Sequence, residues 1–132
     1  MSDPPELVAR AFVAAINRQN VDALAALMTS DHRFIDSLGN VVEGREKLRV
    51  GWAGYFRIIP DYQIAINECL CEGQTVILFG VAGGTYAPDG KLKPENRWST
   101  PVALRANVSD QLITEWRVYA DNEPLRVLMR KG

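Results

Sequence analysis

The feature that most constrains this chain is a change of hydrophobic period at Pro60. Before Pro60, apolar residues recur at the spacing of a helical face, and after it the sequence reads as extended segments divided by short polar turns. Helices followed by strands within 132 residues predict a single α+β domain over residues 1–132. In that domain, an antiparallel sheet should curl over the helices that precede it.

Local signals place the individual elements. Pro4 and Pro5 suit the entry of a first helix. Asp22 opens a second helix that should end at 29–31, so that the two form a helical hairpin. A polar loop at 88–96 divides the strands, and the sequence leaves open whether this loop closes over a site. The remaining predicted elements are strands at 32–37 and 41–43, a helix at 45–58, strands at 62–71, 75–87, 97–108 and 112–120, and a helix at 125–130.

The composition excludes several classes of protein. With 15 Lys and Arg against 16 Asp and Glu, the formal charge is −1 and no basic cluster is present, so a nucleic-acid partner is not expected. No apolar run is long enough to cross a bilayer, and residues 1–6 lack the basic and apolar regions of a signal peptide. We therefore expect no membrane partner and a cytoplasmic location.

Cys69 and Cys71 are the only cysteines, and His32 is the only histidine. Cysteines two apart on a strand share a face but rarely meet disulfide geometry, so two reduced structural thiols are favoured over a vicinal redox pair. A metal site would need further ligands, and none is predicted. His32, between Asp31 and Arg33 at a helix-to-strand junction, is predicted to lie on the surface.

The segment 34–40 carries the strongest candidate site. It places Asp36 at the end of a short apolar strand, ahead of a turn and of the helix at 45–58, where a carboxylate can point into the mouth of a cavity. Two interpretations are open. Asp36 could act as a general base or ligand anchor, or it could be a turn aspartate that bonds its own backbone.

Three stretches of the sequence carry a family pattern, namely 12–17 with 21–24, 34–39 with 43–46, and 113–121. In these stretches the chain resembles the nuclear transport factor 2-like superfamily, and more narrowly its SnoaL-like polyketide cyclase and ketosteroid isomerase-like members. The resemblance implies a cone-like fold with a largely apolar cavity between the helices and the curved sheet. It specifies activity poorly, because this fold serves isomerases, cyclases, epoxide hydrolases and non-enzymatic binders.

The resemblance also bears on the catalytic machinery. Asp36 falls where ketosteroid isomerase-like enzymes keep a proton-shuttling aspartate. The two oxyanion-binding donors of those enzymes are missing, because Phe12 and Ala103 stand at their positions. A steroid isomerase that uses the same machinery is therefore not expected.

Further pocket residues are predicted from strand parity and from the resemblance. If Ala103 faces the cavity, Arg105 on the same face of its strand should do so too, where it could bind an anionic or carbonyl oxygen. Asp121 is either a helix cap or a site acid. The predicted substrate-binding residues are Phe12, Trp52, Phe56, Ala103, Trp116 and Val118.

Two functions are compatible with these residues. The first is a metal-free and cofactor-independent isomerase or cyclase-type enzyme on a small hydrophobic carbonyl compound, with Asp36 as general base and Arg105 stabilising charge. The second is a ligand-binding or accessory domain that has kept the cavity and lost the machinery. In either case, apolar residues on both faces of the strands at 75–82 and 102–108 predict a homodimer packed sheet to sheet.

Overall fold

The computed structural model describes residues 3–131, which form four helices and one curved six-stranded sheet. The helices are α1 (Pro5–Asn17), α2 (Val21–Ala26), α3 (Arg45–Ile58) and α4 (Glu123–Lys131), with a 3₁₀ turn at Pro94–Asn96. The strands are β1 (Met28–Ile35), β2 (Val41–Glu43), β3 (Gln63–Glu72), β4 (Thr75–Thr85), β5 (Arg97–Ser109) and β6 (Leu112–Ala120). Within residues 3–131, no helix has the length and apolarity that a membrane span requires.

The sheet has the strand order β2-β1-β6-β5-β4-β3. The four long strands β3 to β6 pair antiparallel, as predicted, and the α+β class is confirmed. β1 adds a parallel pairing to β6, with Phe34 opposite Trp116. The first strand of the chain is therefore joined directly to the last one.

The boundary between α2 and β1 differs from the prediction. α2 ends at Ala26, and β1 begins at Met28 rather than at 32. The cause is β6, because the Ile113 N–H donates to the Leu27 carbonyl at 2.7 Å. This long-range hydrogen bond places the backbone from Met28 onward in the sheet, although the local sequence could have continued the helix.

α1 fills the concave face of the sheet. The ring of Phe12 is fully buried, with its centroid 4.5 Å from that of Trp116 on β6 and 6.3 Å from that of Trp52 on α3. The amide of Asn17 ties the end of α1 to β3, since it donates to the Ile64 carbonyl at 2.9 Å and accepts from the Ile64 N–H at 2.8 Å. Aromatic packing and this paired amide together fix α1 against the sheet.

β3 approaches β4 most closely at Gly80. A Cβ atom built on Gly80 would lie 2.0 Å from the backbone carbonyl oxygen of Ala65. Beside this contact the β3–β4 register shifts between Ile66 and Glu68, which marks a β-bulge. Only glycine leaves room for this approach, and the bulge beside it bends the sheet around the helices.

We predict that Gly80→Ala destabilises the fold by roughly 1–3 kcal/mol or more, because the added methyl group meets backbone atoms that cannot rotate away. The control is Gly54→Ala in α3, where a built Cβ lies 3.6 Å from its nearest neighbour, a guanidinium nitrogen of Arg57. This control should gain about 0.5–1 kcal/mol from the better helix propensity of alanine. Urea unfolding midpoints measure both changes. A Gly80→Ala protein as stable as the wild type would contradict the close contact.

Candidate functional site

A pocket of about 280 Å³ lies between α3 and the concave face of the sheet. Its walls come from β1, β2, α3, β3, β5 and β6, so residues that are distant in sequence meet there. The lining is mostly apolar with a few polar groups, which is typical of small-molecule sites. The polar side chains that line it are Asp36, Ser37, Lys47, Tyr55, Tyr62 and Asn122.

Three of the predicted substrate-binding residues form the apolar wall of this pocket. Trp52 on α3 and both Trp116 and Val118 on β6 line it directly. Phe12 and Phe56 are buried behind this wall, and the ring of Phe56 lies 5.5 Å from that of Trp52. These two phenylalanines support the wall and do not belong to the lining.

Trp52 is held in place by aromatic neighbours. The rings of Phe12, Phe34 and Tyr55 meet it edge to face, with centroid distances of 6.3, 5.8 and 6.2 Å. Its indole N–H is buried and has no hydrogen-bond partner among residues 3–131. Three aromatic rings therefore surround the Trp52 side chain, which lines the pocket with an unpaired donor.

Asp36 lies at the edge of the pocket and is held by its own turn. Its Oδ1 accepts hydrogen bonds from the N–H groups of Leu38 and Asn40, both at 2.9 Å. Its Oδ2 accepts one from the side-chain amide of Asn40 at 3.2 Å. Each carboxylate oxygen has two lone pairs, so Oδ2 keeps one of them free. The two interpretations from the sequence are thus compatible, since a turn aspartate also lines the pocket.

Tyr55 on α3 and Tyr62, which directly precedes β3, add two phenols to the lining. Their rings stand edge to face with centroids 5.0 Å apart. Burial raises the pKa of both phenols, well above the ordinary range for Tyr55 and to about 12 for Tyr62. Both phenols are therefore protonated donors at neutral pH.

The mouth of the pocket is polar. Asn122, directly before α4, donates from its side-chain amide to the Ser37 hydroxyl at 3.3 Å. This bond ties the C-terminal helix to the turn that holds Asp36. Lys47, exposed in the first turn of α3, is the one cationic side chain among the lining residues.

The sequence is matched by the family model of the SnoaL-like domain over residues 9–120, which is most of its length. The chain belongs to the SnoaL-like domain family. A comparison with curated proteins found no match.

Solved bacterial structures share the fold of this SnoaL-like protein. A ketosteroid isomerase-like protein from Catenulispora acidiphila, solved with trimethylamine, has a TM-score of 0.74 and 24% identity, covering 89% of this chain and 86% of its own. An NTF2-like protein of unknown function from Cytophaga hutchinsonii has a TM-score of 0.74 and 17% identity. The match covers 96% of this chain and 97% of that protein. A candidate SnoaL-like polyketide cyclase from Shewanella denitrificans has a TM-score of 0.81 and 14% identity. The match covers 97% of this chain and 98% of that protein. The nuclear transport factor 2-like fold is confirmed, and identities this low show the fold alone.

Ala103 and Arg105 lie on the outer, convex face of the sheet, contrary to the prediction that they face the cavity. Side chains alternate along β5, and it is Leu104 that lines the pocket. Arg105 instead borders a shallow groove on the outer face together with Glu72. In the β5–β6 register it stands opposite Arg117. It is therefore excluded from contact with a ligand in the pocket.

Asp121 and the loop at 88–96 both lie outside the pocket lining. The carboxylate of Asp121 accepts from the Glu123 N–H at 3.0 Å, at the entry of α4, and the residue is exposed. Asp121 therefore forms a turn just before α4, whose N-cap is Asn122 because the Asn122 carbonyl accepts from the Arg126 N–H. Its neighbour Asn122 is the residue that reaches the pocket.

His32 is fully buried, so the prediction of a surface position is wrong. As part of β1 its side chain turns inward, where its ring stacks on Phe12 with centroids 6.0 Å apart. Nδ1 lies 2.7 Å from the Ile113 carbonyl oxygen and must therefore carry the hydrogen, which leaves Nε2 as a buried acceptor without a partner among residues 3–131. Burial lowers the pKa of His32, and the bond to Ile113 opposes this only in part.

A second cluster of polar side chains lies between α1 and β3. Potential metal-ligand atoms of Glu6, Cys69 and Cys71 all fall within 4.8 Å of one another. The sequence did not indicate Glu6, because only the fold brings the first turn of α1 beside β3. The Glu6 carboxylate is already paired with Arg10 at 2.8 Å, and both cysteines are free thiols. A cation would have to compete with Arg10 for this carboxylate.

We predict that acid weakens the fold through His32. Its pKa in the folded protein is below the ordinary value of 6.5, so the unfolded chain takes up this proton first, and stability that is intact above pH 6.5 is lost below it. His32→Asn keeps a short side chain that can donate to Ile113 but does not titrate. Its loss of unfolding free energy between pH 7.5 and 5.5 should be smaller than that of the wild type by up to about 1.4 kcal/mol. Urea titrations at the two pH values measure this difference, and equal losses would contradict the assignment.

Proposed function

We propose that this SnoaL-like protein binds a small hydrophobic carbonyl compound in the pocket and transfers a proton next to its carbonyl group. The reaction would be of the isomerase or cyclase type and would need no cofactor. Asp36 would take a proton from the carbon beside the carbonyl and return it to another position of the enol or enolate. Trp52, Trp116 and Val118 would hold the apolar part of the ligand.

The observation that supports this proposal is that Asp36 borders the same apolar pocket as the two tryptophans. Its turn fixes the orientation of the carboxylate while leaving one lone pair of Oδ2 free, which is what a general base requires. A base held in place by its own backbone needs no reorganisation when the proton moves. The proposal rests on this arrangement and not on any activity of a relative.

A second candidate function is ligand binding without catalysis. The same three hydrogen bonds favour it, because three of the four carboxylate lone pairs of Asp36 are occupied by Leu38 and Asn40. Arg105, the charged partner expected from the sequence, is also absent from the pocket lining. The two functions differ in one measurable property, which is proton exchange on a bound ketone.

We predict that the protein accelerates hydrogen–deuterium exchange at C1 of 2-tetralone, a flat bicyclic ketone whose C1 protons are acidified by both the ring and the carbonyl. Exchange is followed by NMR in D₂O and compared with buffer alone. Asp36→Asn keeps the turn acceptor Oδ1 but removes the base, so the acceleration should fall by about a hundredfold or more.

Asp121→Asn is the matched control, because Asp121 also accepts a backbone N–H two residues ahead but does not line the pocket. It should exchange 2-tetralone at the wild-type rate. If the wild-type protein binds 2-tetralone without accelerating its exchange, catalysis by Asp36 is excluded for this ketone and the binding function is favoured.

We also propose that the protein is a homodimer that packs through the outer face of its sheet. Apolar side chains remain on this face, where Val81 is 43% and Tyr119 46% exposed. Arg105 and Arg117 face each other across β5 and β6, and neither forms an ion pair with another residue in the described part of the chain. A second copy could cover the apolar side chains and bring carboxylates to these arginines.

We predict a dimer mass by light scattering at micromolar concentration, and a monomer for Val81→Lys, which places a charge in the middle of the proposed interface. Val50→Lys is the control, since Val50 is 72% exposed on α3 and lies away from the outer face of the sheet. This control should remain a dimer. A wild-type protein that is monomeric under these conditions would rule the proposal out.

A further inference from the structure

The two cysteines of the chain lie on one face of β3, beside the first turn of α1. Residues two apart on a strand share a face, so the side chains of Cys69 and Cys71 point the same way. Glu6, in the first turn of α1, is brought to them by the packing of this helix against the sheet. None of the three residues lines the pocket. The cluster is therefore separate from the site proposed for the carbonyl compound.

The spacing of these three side chains suits a single metal ion. One ligand atom from each of them, two thiol sulfurs and a carboxylate oxygen, lies within 4.8 Å of the other two. Two thiolate sulfurs bound at about 2.3 Å to a tetrahedral ion stand about 3.8 Å apart. The ligand atoms therefore need to approach one another by about 1 Å at most, which small rotations of the side chains provide.

The ligand atoms determine the class of cation. Thiolates bind soft and borderline ions, whereas Mg²⁺ and Ca²⁺ require oxygen ligands. The carboxylate of Glu6 favours Zn²⁺ over Cu⁺, for which sulfur ligands alone are preferred. Three protein ligands leave a fourth position on a tetrahedral ion, and the exposure of Cys71 lets water reach it.

Arg10 competes with such a cation for Glu6. Its Nε donates to Oε2 of Glu6 at 2.8 Å, and both side chains are 43% exposed. An ion pair this exposed contributes little to stability, so a metal ion can displace it easily. The charges also balance if the ion pair persists, because two thiolates and a carboxylate beside one guanidinium leave the negative charge that a divalent cation neutralises.

We infer that Cys69, Cys71 and Glu6 form a Zn²⁺ site in which water takes the fourth position. Each thiol gives its proton to solvent as its sulfur binds the ion. The ion joins the first turn of α1 to β3, the strand at the end of the sheet, and therefore binds the folded chain more tightly than the unfolded one. This inference does not depend on the proposed function, since it uses no residue of the pocket.

The experiment uses the full chain, reduced and free of any metal-binding tag, with Zn²⁺ as the probe. Its dissociation constant is measured by competition with a chromophoric chelator, and one Zn²⁺ should bind per chain. Cys71→Ser changes an exposed side chain and should weaken binding by about a hundredfold or more, because even the outer partners of a metal site contribute about tenfold to a hundredfold. Glu6→Gln should weaken binding by about tenfold.

Two further variants test the competition and the position of the site. Arg10→Gln removes the competing guanidinium and should tighten Zn²⁺ binding by about twofold to fivefold, which corresponds to the loss of one exposed ion pair. Glu72→Gln is the control, because Glu72 directly follows Cys71 but projects from the opposite face of β3. This control should bind Zn²⁺ as tightly as the wild type.

Urea unfolding with and without saturating Zn²⁺ completes the test. The ion should raise the unfolding midpoint of the wild type but not that of Cys71→Ser. Equal shifts in the two proteins, or equal dissociation constants, would mean that Zn²⁺ binds elsewhere and would overturn the site. A Glu6→Gln protein that matches Glu72→Gln would remove α1 from the site and overturn the proposed link between helix and sheet.

Discussion

The fold of this protein depends on how closely β3 can approach β4. At Gly80 the two backbones come within a distance that no side chain allows, and the bulge between Ile66 and Glu68 bends β3 beside this point. The bend makes one face of the sheet concave, so that α1 and α3 fit within it. Phe12 fills the base of this concavity, and the part that it leaves empty is the pocket. A flat sheet with the same strand order would have no such space.

The pocket combines an apolar, largely aromatic wall with a few polar groups, several of which are held by a neighbour. Asp36 is fixed by its turn and Asn122 by Ser37, and the ring of Tyr62 packs edge to face against that of Tyr55. Groups oriented before a ligand arrives lose little conformational entropy when it binds. This arrangement suits both candidate functions, because a binding protein and an enzyme need the same preorganisation. They differ in whether Oδ2 of Asp36 moves a proton.

Much of the fold could be predicted because its signals are local. The helix at 45–58 begins and ends as the sequence indicated, and the strands near 97–108 and 112–120 are displaced by a residue at most. The errors lie where distant contacts decide. Met28 joins the sheet because the Ile113 N–H donates to the carbonyl of Leu27, directly before it. The same pairing of β1 with β6 accounts for the burial of His32.

The candidate site could be predicted only in part. Asp36, Trp52, Trp116 and Val118 were expected in the lining and belong to it. Arg105 was misplaced because parity along β5 shows which residues share a face but not which of the two faces is concave. Tyr62 was missed, although it precedes the buried Ile64 by two residues and therefore shares its face.

The parallel pairing of β1 with β6 has a consequence for biogenesis. Phe34 and Asp36 leave the ribosome long before Trp116, Val118 and Asn122, because synthesis runs from the N-terminus. Until β6 emerges, β1 lacks its neighbour and the apolar face of α1 lacks most of its cover. The nascent chain must then expose Phe12 and its surroundings to solvent or to chaperones. The pocket can therefore form only after β6 has been synthesised.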